Sequence, residues 1–371
     1  MIRLIATDLD GTLLDAEGKM PAGIFETIEK LHARGILFCA ASGRQLAGLR
    51  ELFRPVADKI VYIAENGAII ARGGEILHTD PLPAAESVRV LDAVRGVPGA
   101  HPLLCTAERA YYGEYAQPFV RFVQLSYISN GQRDLYETAA HEPVCKIAVY
   151  DEKGPENNCM KKLPPLLAGL RLTLSGGNWL DVSEKSANKG NAMRFLLEKF
   201  SLSADECAAF GDHMNDYEML LACGHPHLPA NAYPRLKEQL SGAVIVPSNA
   251  ENGVLQALNA IADGKPVPRA KPHESPNHHI RPNTIIFSDR RGAPRLTNAA
   301  LPFCIAPQLH PSTHISPLLP SDSSNSTNLP SFPLSAQEAI LAKSIFFKLP
   351  FPKLIIPPFT NVSASERGKF I

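Results

Sequence analysis

The sequence predicts an α/β protein: a doubly wound parallel sheet, a second α/β domain inserted into it, and a C-terminal tail. Short apolar, β-prone runs alternate with helical segments through residues 1–82 and 184–265, an order typical of a parallel sheet with helices on both faces. The strand-like runs are continuously apolar rather than alternating, as expected for strands that are covered on both faces. The interval 83–183 has a different sequence pattern, and the composition changes abruptly after Lys265.

Helix and turn signals divide the core, residues 1–82 and 184–265, into its elements. Pro21 suits a first helical turn, and Gly35 ends the helix that follows it. Asn66-Gly67 separates two apolar runs, which is a strong hairpin signal. The predicted strands cover residues 3–7, 36–40, 60–64, 68–71, 206–210 and 243–246. The predicted helices cover residues 21–34, 45–53, 188–200, 215–222 and 254–262.

The interval 83–183 is interpreted as a second α/β domain that forms a cap. It contains strand-like runs at residues 145–150 and 170–174. Its aromatic side chains are expected to form the core of this domain rather than to contact a ligand, and they are Tyr111, Tyr112, Tyr115, Phe119, Phe122 and Tyr127.

The segment 266–371 is interpreted as a largely disordered tail. It holds 17 of the 32 prolines but only 2 of the 25 glycines, and it carries a net charge of +6 against −6 for residues 1–265. A composition rich in Pro and Ser opposes helix and sheet and favours extended, solvated chain. A basic binding tail and a translated stretch that selection has not shaped are the alternatives.

Charge and cysteine content limit the possible partners. The chain of 371 residues has 37 basic and 37 acidic side chains, which gives no electrostatic reason to expect a nucleic-acid or acidic-lipid partner. No apolar run approaches the roughly 18 residues of a spanning helix, and Asp8 and Asp10 interrupt the only apolar stretch near the N-terminus. Seven scattered cysteines favour reduced, buried thiols. We therefore expect a cytoplasmic protein, with a monomer as the default.

The run Asp8-Leu9-Asp10-Gly11-Thr12 directly follows a predicted strand. Carboxylates at i and i+2 in extended chain point to the same side, so the two aspartates would form an acidic pocket that repels itself without a cation. A small set of hard oxygen ligands suits Mg²⁺, which keeps waters and accepts phosphate oxygens as further ligands. A single Asp at this position would more often cap a helix or turn, but two Asp residues directly after a strand make a capping role less favoured than a cation site.

Two weaker signals concern phosphate. Ser42-Gly43 follows a strand and precedes a helix, where a hydroxyl and backbone N–H groups make an anion site, although Ser is also a routine helix cap. Lys189 lies near a helix start, where the helix dipole disfavours a cation, so another partner should offset the cost. Taken alone, Lys189 would be a solvated surface side chain.

A third strand ends in Gly211-Asp212, and Asp216 follows four positions later. These two aspartates add carboxylates to the same cation pocket, because parallel strands bring their carboxyl ends to one edge of the sheet. His213 is interpreted as a loop residue on the solvent side, because no second His or Cys stands at zinc-ligand spacing.

The sequence resembles the haloacid dehalogenase (HAD) superfamily in four motifs that occur in the family's order: Asp8-Leu-Asp10-Gly-Thr-Leu, Ser42-Gly43-Arg44, Lys189-Gly190 and Gly211-Asp212-x-x-Asn215-Asp216. It is most similar to the Cof-type phosphatases, which carry a large α/β cap between the second and third motifs. The resemblance covers residues 1–264 and implies a Rossmann-like core at 1–82 and 184–265 with a cap at 83–183.

The resemblance implies a division of catalytic roles. Asp8 would be the nucleophile that forms an aspartyl-phosphate, and Asp10 would be the general acid and then the base that activates water. Ser42 and Lys189 would hold the transferring phosphoryl group, and the backbone N–H groups of Leu9 and Gly43 would also face it.

The resemblance also implies a Mg²⁺ site. Asp212 and Asp8 would bind the ion together with the backbone carbonyl of Asp10, and Asp216 would support the metal ligands. Asn215 would contact phosphate or orient the nucleophile.

The predicted function is a Mg²⁺-dependent phosphatase acting on small phosphorylated metabolites, such as sugar phosphates, through an aspartyl-phosphate. HAD dehalogenases lack the second aspartate, so Asp10 indicates phosphate chemistry. The alternatives are a phosphomutase or other phosphotransferase on the same scaffold and a catalytically silent binding protein.

The sequence departs from the family after the fourth motif. Pro226 and Pro229 fall within residues 224–232, where the family has a Gly-rich stretch, and we expect them to disturb the strand there. Asn231-Ala232 fits the family pattern.

Overall fold

A computed structural model describes residues 1–115 and 117–268. The predicted tail, residues 266–371, therefore lies outside the described residues except for its first three positions. No helix within the described ranges has both the length and the apolar composition that crossing a bilayer requires.

Strands and helices alternate through the chain. The strands are β1 (Leu4–Thr7), β2 (Leu37–Ala41), β3 (Val61–Ala64), β4 (Ile69–Arg72), β5 (Glu75–Thr79), β6 (Ala100–Cys105), β7 (Ala110–Tyr112), β8 (Asn130–Gln132), β9 (Lys146–Asp151), β10 (Arg171–Leu174), β11 (Trp179–Ser183), β12 (Cys207–Phe210), β13 (His225–Pro229) and β14 (Val244–Val246). The helices are α1 (Ile24–Ala33), α2 (Leu46–Leu52), α3 (Ala84–Arg95), α4 (Gln117–Ser126), α5 (Leu135–His141), α6 (Cys159–Lys162), α7 (Lys189–Lys199), α8 (Tyr217–Leu221), α9 (Pro234–Gln239) and α10 (Gly253–Ala262).

The first sheet has eight strands in the order β14-β13-β12-β1-β2-β3-β4-β5. The six strands from β14 to β3 run parallel, and β4 and β5 add two antiparallel strands at one edge. The predicted parallel α/β core is confirmed, with each predicted strand shifted by no more than one residue at either end. The predicted hairpin at Asn66-Gly67 is present as well, because β3 and β4 pair antiparallel across that turn.

Both faces of the first sheet are buried. On one face, α1, α2 and α10 pack with Ile5 of β1 in a continuous apolar cluster. On the other face, α7, α8 and α9 pack with Leu4 and Ala6. Burial on both sides explains why the strands read as unbroken apolar runs in the sequence.

The two prolines after the fourth motif do not prevent strand formation, so that expectation was wrong. His227 accepts a hydrogen bond from the Gly211 N–H, which turns its backbone toward β12. Pro226 therefore faces the opposite side, where β14 begins only opposite His227, so its missing N–H removes no ladder bond there. Pro229 is the last residue of β13.

The second sheet has six strands in the order β10-β11-β9-β6-β7-β8, all antiparallel except the pair β7–β8. One face packs against α3 and α5. The other face carries an aromatic cluster in which the ring of Phe119 lies 5.1 Å from that of Tyr115 and 5.9 Å from that of Tyr150. Most of the aromatics singled out in the sequence therefore pack against one another.

The thiols that the structure describes are buried and free, as expected for reduced cysteines. They are Cys39, Cys105, Cys145, Cys159, Cys207 and Cys223.

Candidate active site

The first, second and fourth motifs meet at one edge of the first sheet because they follow the adjacent parallel strands β1, β2 and β12. Asp8 follows β1 and donates its N–H to Phe210 at the end of β12, at 2.9 Å. Ser42 follows β2 and donates its N–H to Ile63 of β3, at 2.8 Å. The carboxyl edge of an open α/β sheet is where such folds bind ligands.

Asp8 and Asp10 both have extended backbone, but their carboxylates have different partners. Asp8 has extended backbone (φ −65°, ψ 165°), but Leu9–Leu13 forms a turn in which Gly11 has φ +83°. Asp10 also has extended backbone (φ −75°, ψ 113°), as assumed from the sequence, but its carboxylate lies outside the acidic cluster around Asp8. Asp10 instead accepts two hydrogen bonds from Arg44, at 2.9 Å from Nε and 2.6 Å from a terminal nitrogen.

The turn also allows close approach between the first and fourth motifs. A Cβ added to Gly11 would collide with the carboxylate of Asp212, in addition to the strain of its positive φ. Thr12 donates its hydroxyl to Oδ1 of Asp212 at 2.8 Å. Residues that are 200 positions apart in the chain are thus held in direct contact.

Asp8, Asp212 and Asp216 form an acidic cluster, with one carboxylate oxygen of each lying within 4.8 Å of the others. Lys189 lies between two of them, because its ammonium contacts Oδ1 of Asp8 at 2.5 Å and Oδ1 of Asp216 at 2.6 Å. The Lys189 side chain is fully buried, so it is not the solvated surface lysine that the residue alone would suggest. It is the first residue of α7, where Asn188 caps the helix by accepting the Asn191 N–H.

Burial and repulsion shift the ionisation of this cluster. Burial raises the pKa of Asp8 well above its usual value, and the neighbouring carboxylates of Asp216 and Asp212 raise it further, against the opposing effect of Lys189. Burial and then Asp216 raise the pKa of Asp212. Burial alone would lower the pKa of Lys189, but Asp216 and Asp8 outweigh it and raise that pKa. One lysine therefore does not neutralise three carboxylates.

The carboxylate oxygens of the acidic cluster fit a divalent cation. Asp8 uses Oδ1 for Lys189 and Asp212 uses Oδ1 for Thr12, and within the described ranges neither Oδ2 atom accepts a hydrogen bond. Asp216 uses Oδ1 for Lys189 and Oδ2 for the N–H groups of Asp212 and His213, each at 3.1 Å. Asp8 and Asp212 thus have oxygens available for a hard cation, whereas Asp216 holds the loop that carries Asp212.

The loop at Ser42-Gly43 lies next to this cluster. The Ser42 hydroxyl accepts the Arg44 N–H at 3.2 Å, and its side chain is almost fully buried. A Cβ on Gly43 would collide with the side-chain amide of Asn66. Asn66 in turn accepts a hydrogen bond from Asn215 at 3.2 Å, which links the second motif to the fourth.

Several contacts at this edge have no signature in the sequence. The Arg44 pair with Asp10 is one, and a buried ion pair between Lys146 of β9 and Glu65, at 2.5 Å, is another. Asn231 donates to the Gly11 carbonyl at 2.8 Å. The Asn231 position that fits the family pattern therefore supports the turn of the first motif.

Comparison with known proteins identifies the family. The family model for haloacid dehalogenase-like hydrolases matches residues 5–258. The chain belongs to the haloacid dehalogenase-like hydrolases. It is also 26% identical over 261 residues to an HMP-PP phosphatase of an Enterobacter species, covering 66% of this chain and 90% of that protein. An HMP-PP phosphatase of Cronobacter sakazakii is 28% identical over 250 residues, covering 65% and 88%.

Solved structures agree with this assignment. A phosphatase of the haloalkanoate (HAD) enzyme superfamily from Bacteroides thetaiotaomicron superimposes with a TM-score of 0.58 at 25% identity, covering 70% of this chain and 94% of its own. A Thermotoga maritima protein has the same fold, with a TM-score of 0.60 at 24% identity over 70% and 97% of the two chains. The Cof-type HAD resemblance and the phosphoric monoester hydrolase class are confirmed. A divalent metal is general among HAD hydrolases, and the acidic cluster is consistent with one.

Proposed function

We propose that this HAD hydrolase is a Mg²⁺-dependent phosphatase of small phosphorylated metabolites, with Asp8 as its nucleophile. One observation carries the proposal: the buried Asp8 carboxylate has one oxygen held by Lys189 and the other without a hydrogen-bond donor among the described residues, beside two further carboxylates. This arrangement suits an oxygen that attacks phosphorus beside a cation. The phosphatase names of the relatives support the substrate class.

Charge is the main obstacle to the reaction, because a phosphate dianion and a carboxylate repel each other. Lys189 supplies one positive charge beside Asp8. Mg²⁺, held by Asp8, Asp212 and the backbone carbonyl of Asp10, would supply the remaining charge that stabilises the phosphoryl oxygens. Asp216 would keep Asp212 and Lys189 in place through three hydrogen bonds, which it accepts from the N–H groups of Asp212 and His213 and from the Lys189 ammonium.

The reaction would proceed in two displacements. An oxygen of Asp8 bonds to phosphorus while the bond from phosphorus to the ester oxygen breaks, and Asp10 gives its proton to that leaving oxygen. Asp10 then takes a proton from water, whose oxygen attacks phosphorus and frees the Asp8 carboxylate and inorganic phosphate. The Arg44 pair with Asp10 must open before Asp10 can reach the leaving group.

The phosphoryl oxygens would be held by donors around this pair. We assign this role to the Ser42 hydroxyl, the backbone N–H groups of Leu9 and Gly43, and the amide of Asn215. Residues 83–183 would form the cap over the site and select the leaving group.

Hydrolysis of p-nitrophenyl phosphate with Mg²⁺ tests the proposal. The wild-type protein should release nitrophenol, and Asp8→Asn, which keeps the shape of the side chain but removes its nucleophilic oxygen, should abolish turnover. Asp58→Asn, on the exposed surface, is the matched control and should retain full activity. Normal turnover by Asp8→Asn would exclude the covalent mechanism.

A further inference from the structure

The phosphate-binding loop depends on one contact from the second sheet. The carbonyls of three consecutive residues, Ser42, Gly43 and Arg44, each accept one hydrogen bond. Ser42 accepts the Asn66 N–H at 3.0 Å, and Arg44 accepts the Glu65 N–H at 3.1 Å. Both of these donors belong to the turn after β3 of the first sheet.

The middle carbonyl has a donor of different origin. The ammonium of Lys146, the first residue of β9, lies 3.2 Å from the carbonyl oxygen of Gly43. This peptide is planar and trans, so fixing its oxygen also fixes the direction of the Arg44 N–H at its other end. That N–H donates to the Ser42 hydroxyl. The position of Lys146 is therefore transmitted to the hydroxyl that would hold phosphate.

The surroundings of Lys146 hold its ammonium in place. Its side chain is only 3% exposed, and it pairs with Glu65 at 2.5 Å and with Asp181 of β11 at 3.4 Å. The ring of Tyr127 lies 5.8 Å from the ammonium. Because Lys146 and Asp181 belong to the second sheet and Glu65 to the first, this cluster forms only when the two sheets are in contact.

We propose that Lys146 is a positioning residue that completes the phosphate-binding loop from the second sheet. Contact between the sheets thereby orients Ser42 and Gly43 for the phosphoryl group, and loss of that contact weakens phosphate binding. The proposal rests on the proposed function, since it takes this loop to be the anion site. Lys146 does not itself touch substrate or metal.

The test measures the inhibition constant of inorganic phosphate against hydrolysis of p-nitrophenyl phosphate, and phosphate binding by calorimetry with Mg²⁺. Lys146→Met alone would leave two buried carboxylates unpaired and could fail to fold. The informative variant is therefore Lys146→Met with Glu65→Gln and Asp181→Asn, which removes all three charges of this cluster together. It should weaken phosphate binding by about tenfold, the effect of losing one hydrogen bond from a charged donor, while kcat falls by less.

Two control variants distinguish a positioning role of Lys146 from a general weakening of the contact between the two sheets. Glu65→Gln alone keeps the ammonium, its pair with Asp181 and its contact with Gly43, so it should weaken phosphate binding clearly less than the triple variant. Gln45→Ala removes another polar contact with the domain of the second sheet, the pair of hydrogen bonds with the Ser129 backbone at 2.7 and 3.1 Å, without touching the three carbonyls. It should leave phosphate binding unchanged.

The outcomes are distinguishable. Wild-type phosphate affinity in the triple variant, or an equal loss in Gln45→Ala, would overturn the positioning role while leaving the phosphatase intact. A wild-type protein that neither hydrolyses p-nitrophenyl phosphate nor binds inorganic phosphate would overturn the proposed function, and this inference with it.

Discussion

Replacing Lys189 with Met should destabilise the metal-free protein more than any other single change at the site. The lysine is fully buried, and its two carboxylate partners are 8% and 1% exposed, so both lose the buried cation that they share. Breaking a buried ion pair by removing one partner costs about 3–5 kcal/mol, and with two partners we expect the upper end, about 5 kcal/mol. That value is comparable to the whole stability of a marginal domain.

The assay is urea unfolding in the presence of a metal chelator, with Lys199→Met as the matched control. Lys199 ends the same helix and is exposed, so its replacement should change the free energy of unfolding by no more than about 0.5 kcal/mol. Lys189→Met should also lose phosphatase activity. Equal unfolding midpoints for the two variants would refute the view that Lys189 offsets part of the charge of the acidic cluster.

Three further results are expected. Gly11→Ala should abolish Mg²⁺-dependent activity in a p-nitrophenyl phosphate assay, because its Cβ would collide with Asp212, whereas Gly74→Ala, with open space around it, should not. Mg²⁺ at about 100 times its dissociation constant should stabilise the wild type by about 2.7 kcal/mol in thermal unfolding; an equal gain in Asp212→Asn would contradict the metal site. Burial lowers the pKa of His227 from 6.5 to about 4, so the unfolded chain binds a proton at this histidine more readily than the folded protein. The contribution of His227 to the free energy of unfolding is therefore complete above pH 6.5 and is lost as the pH falls toward 4. The loss is about 3 kcal/mol, and unfolding of His227→Gln should show a correspondingly flatter pH dependence between these values, with an unchanged slope contradicting the assignment.

The sequence predicted the parallel core because its signals are local. Strand ends at Asp8, Ser42 and Asp212 could be placed from short apolar runs, and parallel strands bring those ends to one edge. The motif resemblance then added Lys189, whose isolated pattern favoured a surface side chain. Its burial follows from two carboxylates that are 181 and 27 residues away in the chain, and no local pattern contains that information.

The remaining features depend on packing between distant elements. The Lys146 pair with Glu65 joins a strand of the second sheet to the turn after β3 of the first, so it exists only once both sheets have folded and are in contact. The Asp10 pair with Arg44 joins side chains that are 34 residues apart, and the extended backbone at Asp10 does not by itself predict it. The strand at Pro226 forms because the proline faces the side of β14, which begins only opposite His227. This depends on the register of the strands, which composition does not give.

The fate of the phosphoryl group tests the nucleophile most directly. Rapid acid quench during turnover of p-nitrophenyl phosphate, followed by proteolysis and mass spectrometry, should show the mass of one phosphoryl group on the peptide that contains Asp8. The modification should disappear on treatment with hydroxylamine, which cleaves acyl-phosphates. A phosphoryl group on any other side chain, or an unmodified Asp8 peptide while turnover continues, would contradict the assignment of Asp8 as the attacking group.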